Sequence, residues 1–172
     1  MADVRWVAAV AGPRFADGTA AHLDAAVLSA VDRSGLVADL VCTGVDRSRT
    51  VTATAVFART TAPGGDPAAF TALLDGRPCA VDPVAAGARC VRFPGQDALS
   101  GVVPAAAIPA ESAVDEVLGV GVRVERDAPV DTRDFLRPVF LDGRLVLLVE
   151  PGAGGVLRPV EIADPHQCCG GH

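Results

Sequence analysis

The first 93 residues alternate strand and helix signals in a fixed order, and this order constrains the fold more than any other feature of the chain. Residues 4–10 form a short apolar run that is typical of a buried strand. Thr19 can cap a helix that runs to about Ser34, and Gly35 stands where helices commonly end. Two strands are predicted to follow, over residues 36–43 and 50–59.

A second helix is predicted by the clearest local signature in the sequence. Asp66 can cap it, Pro67 stands at the first helical position, and Gly76 lies just past its end. A further strand is predicted over residues 89–93. The resulting order, βαββαβ, predicts an α+β protein and can build a ferredoxin-like split βαβ sandwich, although several folds share this order.

The middle of the chain is punctuated by turn-forming residues. We interpret Pro104–Pro109 as a linker or an extended covering strand. Ser112 and Asp115 have the spacing of a capping box, which predicts a short helix to Leu118, and a strand is predicted over residues 120–125.

The last third of the chain is predicted to form an antiparallel meander. Asp142-Gly143 is the strongest hairpin signal, and it separates apolar strands at residues 139–141 and 144–150. Residues 156–162 can supply the third strand. We therefore predict a sheet-rich single α+β domain over residues 1–164, with a sub-boundary near residues 95–110 and a separate tail at residues 165–172.

Composition excludes several classes of function. All fifteen basic residues are arginine, so a pyridoxal phosphate Schiff base, a nucleotide-binding P-loop and a Ser-Lys dyad have no lysine to use. The net charge of -6 and the thinly spread arginines indicate that nucleic acid is not a partner. No run of eighteen uncharged apolar residues and no secretory leader are present, which predicts a cytoplasmic protein without a membrane span.

The chemically distinctive segment is the C-terminal tail. Two of the three histidines and two of the five cysteines lie within seven positions, as His166, Cys168, Cys169 and His172. Thiolates and imidazoles together suit Zn(II), Cu(I) or an iron–sulfur centre. We therefore predict a transition-metal-binding protein that uses an HxCCxxH tail, with zinc as the first choice and copper as the second. The metal can serve structure, delivery or catalysis.

The spacing of these ligands leaves the full coordination sphere open. Structural zinc sites usually separate paired ligands by two to four residues, a spacing that Cys169 and His172 obey. Adjacent cysteines need a turn to share one ion. Further ligands can come from Cys42, Cys79 and Cys90, or from the tail of a second copy of the chain.

Three other interpretations of the tail and the domain remain open. Cys168 and Cys169 could act as a vicinal dithiol in redox or soft-ion chemistry. The pair resembles the paired C-terminal cysteines of mercuric reductases, but the flavin-binding glycine pattern of that family is absent, so nothing further is implied. The tail could also be the substrate of a peptide-modifying enzyme. Alternatively, the protein is a non-catalytic domain that binds a ligand or another protein, and the tail is incidental.

Other polar residues have structural interpretations that we favour. Cys42, Cys79 and Cys90 fall in or beside predicted strands, where cysteine commonly packs as a small hydrophobe. His22 is expected at the surface of the first helix. The aspartates and arginines between Arg126 and Arg137 are expected to form a solvated, salt-bridged loop, with the rim of an anion pocket as the alternative.

Overall fold

The computed structural model describes residues 5–15, 19–47, 53–80 and 82–163. These residues contain eleven strands and three α-helices, and the strands pair mostly antiparallel, which confirms the predicted sheet-rich α+β class. The chain divides after Phe93 into two compact units. Within the described ranges, no helix is long and apolar enough to cross a membrane.

The first unit is a five-stranded antiparallel sheet with two helices. Its sheet runs in the order β4-β1-β3-β2-β5. The elements are β1 (Arg5–Val10), α1 (Ala20–Arg33), β2 (Ala38–Asp46), β3 (Ala53–Thr60), α2 (Pro67–Leu73), β4 (Arg77–Pro78) and β5 (Arg89–Arg92).

Apolar side chains of α1 and α2 pack on one face of this sheet. Val27 and Val31 from α1 and Phe70 from α2 are fully buried against Val56 and other strand residues. The opposite side of the strands is also buried, because Ala55 and Phe57 are as inaccessible as Val56 between them.

The capping signals at Asp66 and Gly35 act as predicted. The Asp66 carboxylate accepts a hydrogen bond from the Ala68 N–H at the start of α2. Gly76 follows the end of that helix, where a Cβ atom would lie 2.2 Å from the Val10 carbonyl oxygen, so no larger residue fits. Gly35 follows α1 with a φ of 73°, the left-handed conformation that favours glycine after a helix.

The second unit is built from short strands and turns. Its elements are β6 (Val102–Pro104), α3 (Ala107–Glu111), β7 (Glu116–Gly119), β8 (Pro129–Asp131), β9 (Val139–Leu141), β10 (Arg144–Pro151) and β11 (Leu157–Pro159). Strand β10 is its centre: it pairs antiparallel with β9 and β11 and parallel with β7.

The predicted hairpin and meander are confirmed. Asp142 and Gly143 both have positive φ values, 49° and 81°, as a two-residue turn between β9 and β10 requires. Residues 152–155 turn the chain back, and β11 then pairs with β10.

The predictions for residues 104–125 are wrong in three places. The residues between Pro104 and Pro109, expected to be extended, enter α3 at Ala107. The predicted helix over 112–118 is instead a loop followed by β7, and the strand expected at 120–125 is irregular. Ser112 does not begin a helix; its hydroxyl donates to the Ile108 carbonyl oxygen at the end of α3.

Candidate functional site

The predicted metal ligands His166, Cys168, Cys169 and His172 lie outside the described residues. Among the residues that the structure does describe, no group of three or more His, Cys, Asp or Glu side chains is placed to hold a metal ion. The last described strand before the tail in the sequence is β11, which pairs with β10 along its whole length. The Val160 N–H donates to the Leu148 carbonyl, and Arg158 bonds Glu150 through two nitrogens.

Two of the three cysteines proposed as extra ligands meet inside the first unit. Cys42 on β2 and Cys90 on β5 are directly opposite one another in the antiparallel pairing. Their Sγ atoms are 2.7 Å apart and share a hydrogen bond in which either can be the donor. Neither residue has any exposed surface. A metal site that combined them with the tail would require the sheet to open.

The surroundings of this pair keep the Cys42 thiol protonated. The hydrogen bond with Cys90 raises the pKa of Cys42, and burial raises it further because a thiolate would lose its solvation. The positive charge of Arg59 acts in the opposite direction but is itself engaged by Asp39, which accepts hydrogen bonds from two Arg59 nitrogens. The folded protein therefore holds the Cys42 thiol protonated and in contact with Cys90.

Sequence reasoning placed Cys42 and Cys90 in strands but did not pair them. They are 48 positions apart, and the intervening residues contain two strands and a helix. No local spacing rule connects cysteines at this distance. The signal becomes visible once β5 is known to lie beside β2 in the sheet.

Cys79, the third candidate, lies at the wall of an open cleft. The cleft has a volume of about 440 Å³ and is lined by residues of β2, β3 and the segment after β4, including Asp46, Arg77 and Asp82. Burial and the negative charge of Asp46 raise the pKa of the Cys79 thiol, while Arg77 lowers it. The Arg77 guanidinium, which would favour a thiolate, is paired with Asp46 at 2.8 Å, so the surroundings of Cys79 do not make it a strong nucleophile.

His22 lies on the exposed face of α1, as predicted. With Ser29 and Arg33 it borders a groove of about 340 Å³ that Arg14 closes on the other side. Arg14 is held there by an ion pair with Asp75 at 2.6 Å and by a hydrogen bond to the Leu73 carbonyl. The groove is polar and open.

A larger cavity of the first unit has Trp6, the single tryptophan of the chain, in its wall. It has a volume of about 670 Å³ and its lining is mainly apolar. The residues that line it are Arg5, Trp6, Val7, Leu36, Thr60, Ala62, Pro63, Gly64, Gly65 and Pro67. Its size is that of a small-molecule pocket, which typically has a volume of about 300–1,000 Å³.

The polar cluster near residues 126–137 stabilises a turn. The Thr132 N–H and hydroxyl both donate to the Gly101 carbonyl, and Asp134 accepts from the Gly101 N–H. Arg133 pairs with Asp131, and the Arg137 guanidinium stacks on the Phe135 ring at 3.8 Å. This arrangement agrees with the salt-bridged loop that we favoured. The stretch is not helical, because Arg133 and Asp134 have positive φ values.

Comparison of the chain with models of protein families, with curated proteins and with solved structures finds no match.

Proposed function

We propose that the protein binds a transition metal through its C-terminal tail, with His166, Cys168, Cys169 and His172 as ligands. The observation that carries this proposal is the density of ligands: four imidazole or thiol side chains occupy seven consecutive positions. Such a mixed nitrogen and sulfur set suits Zn(II) first and Cu(I) second. The firm attachment of β11 to β10, a few residues before the tail, supports the idea that the folded body is an anchor for this segment.

The coordination number would distinguish the roles that such a metal can play. Four protein ligands would close the site, as in structural zinc centres, whereas three would leave a position for water, substrate or a receiving protein. Cys79 is the best placed of the body cysteines to complete the set, because it borders an open cleft while Cys42 and Cys90 bond each other in the interior.

Elemental analysis of anaerobically purified protein tests the proposal. We expect about one equivalent of Zn, Cu or Fe in the full chain, as one four-ligand site holds one ion. A Cys168→Ser/Cys169→Ser variant and a chain ending at Asp164 should both lose the metal. The matched control is Cys42→Ala, which removes one cysteine of the buried Cys42–Cys90 pair. This variant should retain the metal. Metal-free protein after incubation with Zn(II) and with Cu(I) would contradict the proposal.

We also propose that the first unit is a ferredoxin-like βαββαβ arrangement. Its last strand is β4, which the sequence did not predict, and the strand expected at residues 89–93 is the additional strand β5 beside β2. The order β4-β1-β3-β2 supports this, because β3 lies between β1 and β2 and each helix connects two strands that run in the same direction. This is a statement about architecture and carries no activity with it. An experimental structure with another strand order would contradict it.

A second candidate function is ligand binding in the cavity around Trp6. The specific observation is its size and apolar lining. The chain has no tyrosine and one tryptophan, so its indole emission reports directly on this cavity. Titration with the apolar dye anilinonaphthalene sulfonate should quench Trp6 emission along the curve on which the dye brightens. A dye signal with no change at Trp6 would reject this candidate, and the Cys168→Ser/Cys169→Ser variant should bind dye unchanged.

A further inference from the structure

The buried thiols of Cys42 and Cys90 are placed for a reaction that is separate from the proposed metal tail. In an antiparallel pair, residues directly opposite each other have Cα atoms about 4.5–5.5 Å apart. Disulfides span Cα separations of about 4.4–6.8 Å, a range that includes this spacing. The register of β2 and β5 shifts between Val41 and Cys42, so the irregularity lies beside the pair and Cys42 still faces Cys90. The contact of the two sulfur atoms shows that both side chains already point at each other.

The fold holds this register from both sides of Cys90. Arg89 donates to both carboxylate oxygens of Asp24 on α1 and to the Thr43 hydroxyl on β2. On the other side, Arg92 bonds both carboxylate oxygens of Asp32 on α1. Because β5 is fixed by side chains at positions 89 and 92, Cys90 has little freedom to move away from Cys42. The proximity of the two thiols is thus a property of the fold.

We propose that Cys42 and Cys90 form an intramolecular disulfide that links β2 to β5 when the chain meets a low-molecular-weight disulfide such as oxidised glutathione. The thiolate of one cysteine attacks a sulfur of the small disulfide and releases one small thiol. The thiolate of the other cysteine then attacks the mixed disulfide and releases the second. The two cysteines lose two protons and two electrons, and the small disulfide gains them as two thiols.

Burial determines when this reaction proceeds. Thiol–disulfide exchange needs an accessible thiolate. In the folded state neither sulfur atom is accessible, and the surroundings of Cys42 keep its thiol protonated. Oxidation therefore takes place during folding, or when β5 separates locally from β2. The same burial protects the finished disulfide from small reductants. The proposed pair differs in this respect from Cys168 and Cys169, whose adjacent positions would strain a disulfide and make it easily reduced.

Tryptic peptide mapping distinguishes the cysteines. Trypsin cleaves this chain after arginine, and these cleavages place Cys42, Cys79, Cys90 and the tail cysteines in four different peptides. Cys42 falls in the peptide 34–47, and cleavage after Arg89 and Arg92 separates Cys90 in the peptide 90–92. Cys79 falls in the peptide 60–89, and the tail cysteines in 145–172, since Arg77 and Arg158 each precede a proline that blocks cleavage. A link between Cys42 and Cys90 thus has a unique mass.

The experiment uses the full chain with Cys168→Ser/Cys169→Ser, refolded with oxidised glutathione and then alkylated in denaturant. We expect the peptides 34–47 and 90–92 to be joined, the intact mass before alkylation to fall by two hydrogen atoms, and the free thiols to fall from three to one. The folded, reduced protein should lose its thiols much more slowly under the same oxidant. Cys79→Ala is the matched control and should still form the link.

Two results would overturn the proposal. One is retention of both thiols, or their capture as separate glutathione adducts, in chains that have refolded to native circular dichroism. The other is a link from either cysteine to Cys79. Because the tail cysteines are absent from this variant, neither result bears on metal binding, and loss of metal from the tail variants would not affect the disulfide.

Discussion

The two units of the chain stabilise their polar groups in different ways. In the first unit, charged side chains on α1 pair with charged side chains on β5. Arg89 binds Asp24 through two nitrogens, with the closer contact at 2.7 Å, although 65 positions separate them. In the second unit, short polar side chains bond the backbone of a neighbouring segment: Asp115 accepts from the Leu145 N–H, and Thr132 donates to the Gly101 carbonyl.

This difference indicates how each unit acquires its order. The first unit has long strands and a 14-residue helix that bury large apolar faces, so ion pairs are needed chiefly to fix which strand lies beside which. The second unit has strands of three or four residues apart from β10, and its turns must be held individually. The stability lost on substitution should therefore depend on charge and burial in the first unit. In the second unit it should depend on single hydrogen bonds.

The largest expected effect is that of Arg89→Ala. Asp24 is 2% exposed, so removal of Arg89 takes two charge-assisted hydrogen bonds away from a buried carboxylate. We expect the free energy of unfolding to fall by about 3–5 kcal/mol. Urea unfolding with hydrogen exchange should locate the loss in the first unit. An Asp24→Leu/Arg89→Leu variant should recover much of it, and a loss below about 1 kcal/mol in the single variant would contradict this view of the pair.

The next largest loss of stability is expected for Thr132→Val, which removes a single hydroxyl in the second unit. The change preserves shape but removes a hydroxyl that is fully buried and donates to the Gly101 carbonyl. We expect a loss of about 0.5–1.5 kcal/mol, since the Gly101 carbonyl loses one of its two Thr132 donors and the Asp134 N–H loses the Thr132 hydroxyl as its acceptor. Amide exchange should rise around residues 99–104 and stay constant in β2 and β3. Thr132→Ser, which retains the hydroxyl, should keep most of the stability; an equal loss in both variants would implicate the methyl group instead.

The third prediction concerns alkaline pH. Because its pKa is raised on folding, Cys42 binds a proton in the folded state that the unfolded chain releases above about pH 8.5. Its contribution to stability is intact below that pH and should fall by about 1.4 kcal/mol per pH unit above it. With no lysine or tyrosine in the chain, few other groups titrate there. Under reducing conditions, Cys42→Ala should have a flatter pH profile, and parallel profiles would refute the assignment.

The smallest expected effect is that of Asp32→Ala. Its partner Arg92 also lies on β5 and also forms two hydrogen bonds, but the Asp32 side chain is 58% exposed. We expect a loss of about 0–1 kcal/mol because solvent screens the pair. High salt should reduce even this difference. If Asp32→Ala were as damaging as Arg89→Ala, burial would not be what separates the two pairs.

The secondary structure of the first unit can be predicted from the sequence better than that of the second, because the two units carry sequence signals of different kinds. Helical periodicity and the Asp66 cap define long elements whose ends can shift by a residue or two without changing the fold. In the second unit, the sequence from Pro104 to Pro109 is interpreted as a linker or an extended covering strand, yet Pro109 belongs to a helix. It lies within the first turn of α3, where the backbone N–H groups have no partner inside the helix, so a proline costs no hydrogen bond.

The same contrast applies to the candidate sites. Ligand density makes the tail conspicuous in the sequence, whereas the contact of Cys42 with Cys90 depends on the position of β5 beside β2. Ser112 and Asp115 show how spacing alone can mislead. Both side chains do bond the backbone, but at the end of α3 and at β10 rather than at a helix start.

The central position of β10 has a kinetic consequence. Strands β9 and β11 pair with its two halves along one edge, and β7 pairs with its middle along the other. The hairpin of β9 and β10 closes across two residues, a local event that typically takes about 1–10 μs. Its formation would present a template to β11 and then to β7, which is distant in sequence. Asp142 and Gly143 should therefore set the rate at which the second unit folds, and substitutions in β7 should mainly change how fast it unfolds.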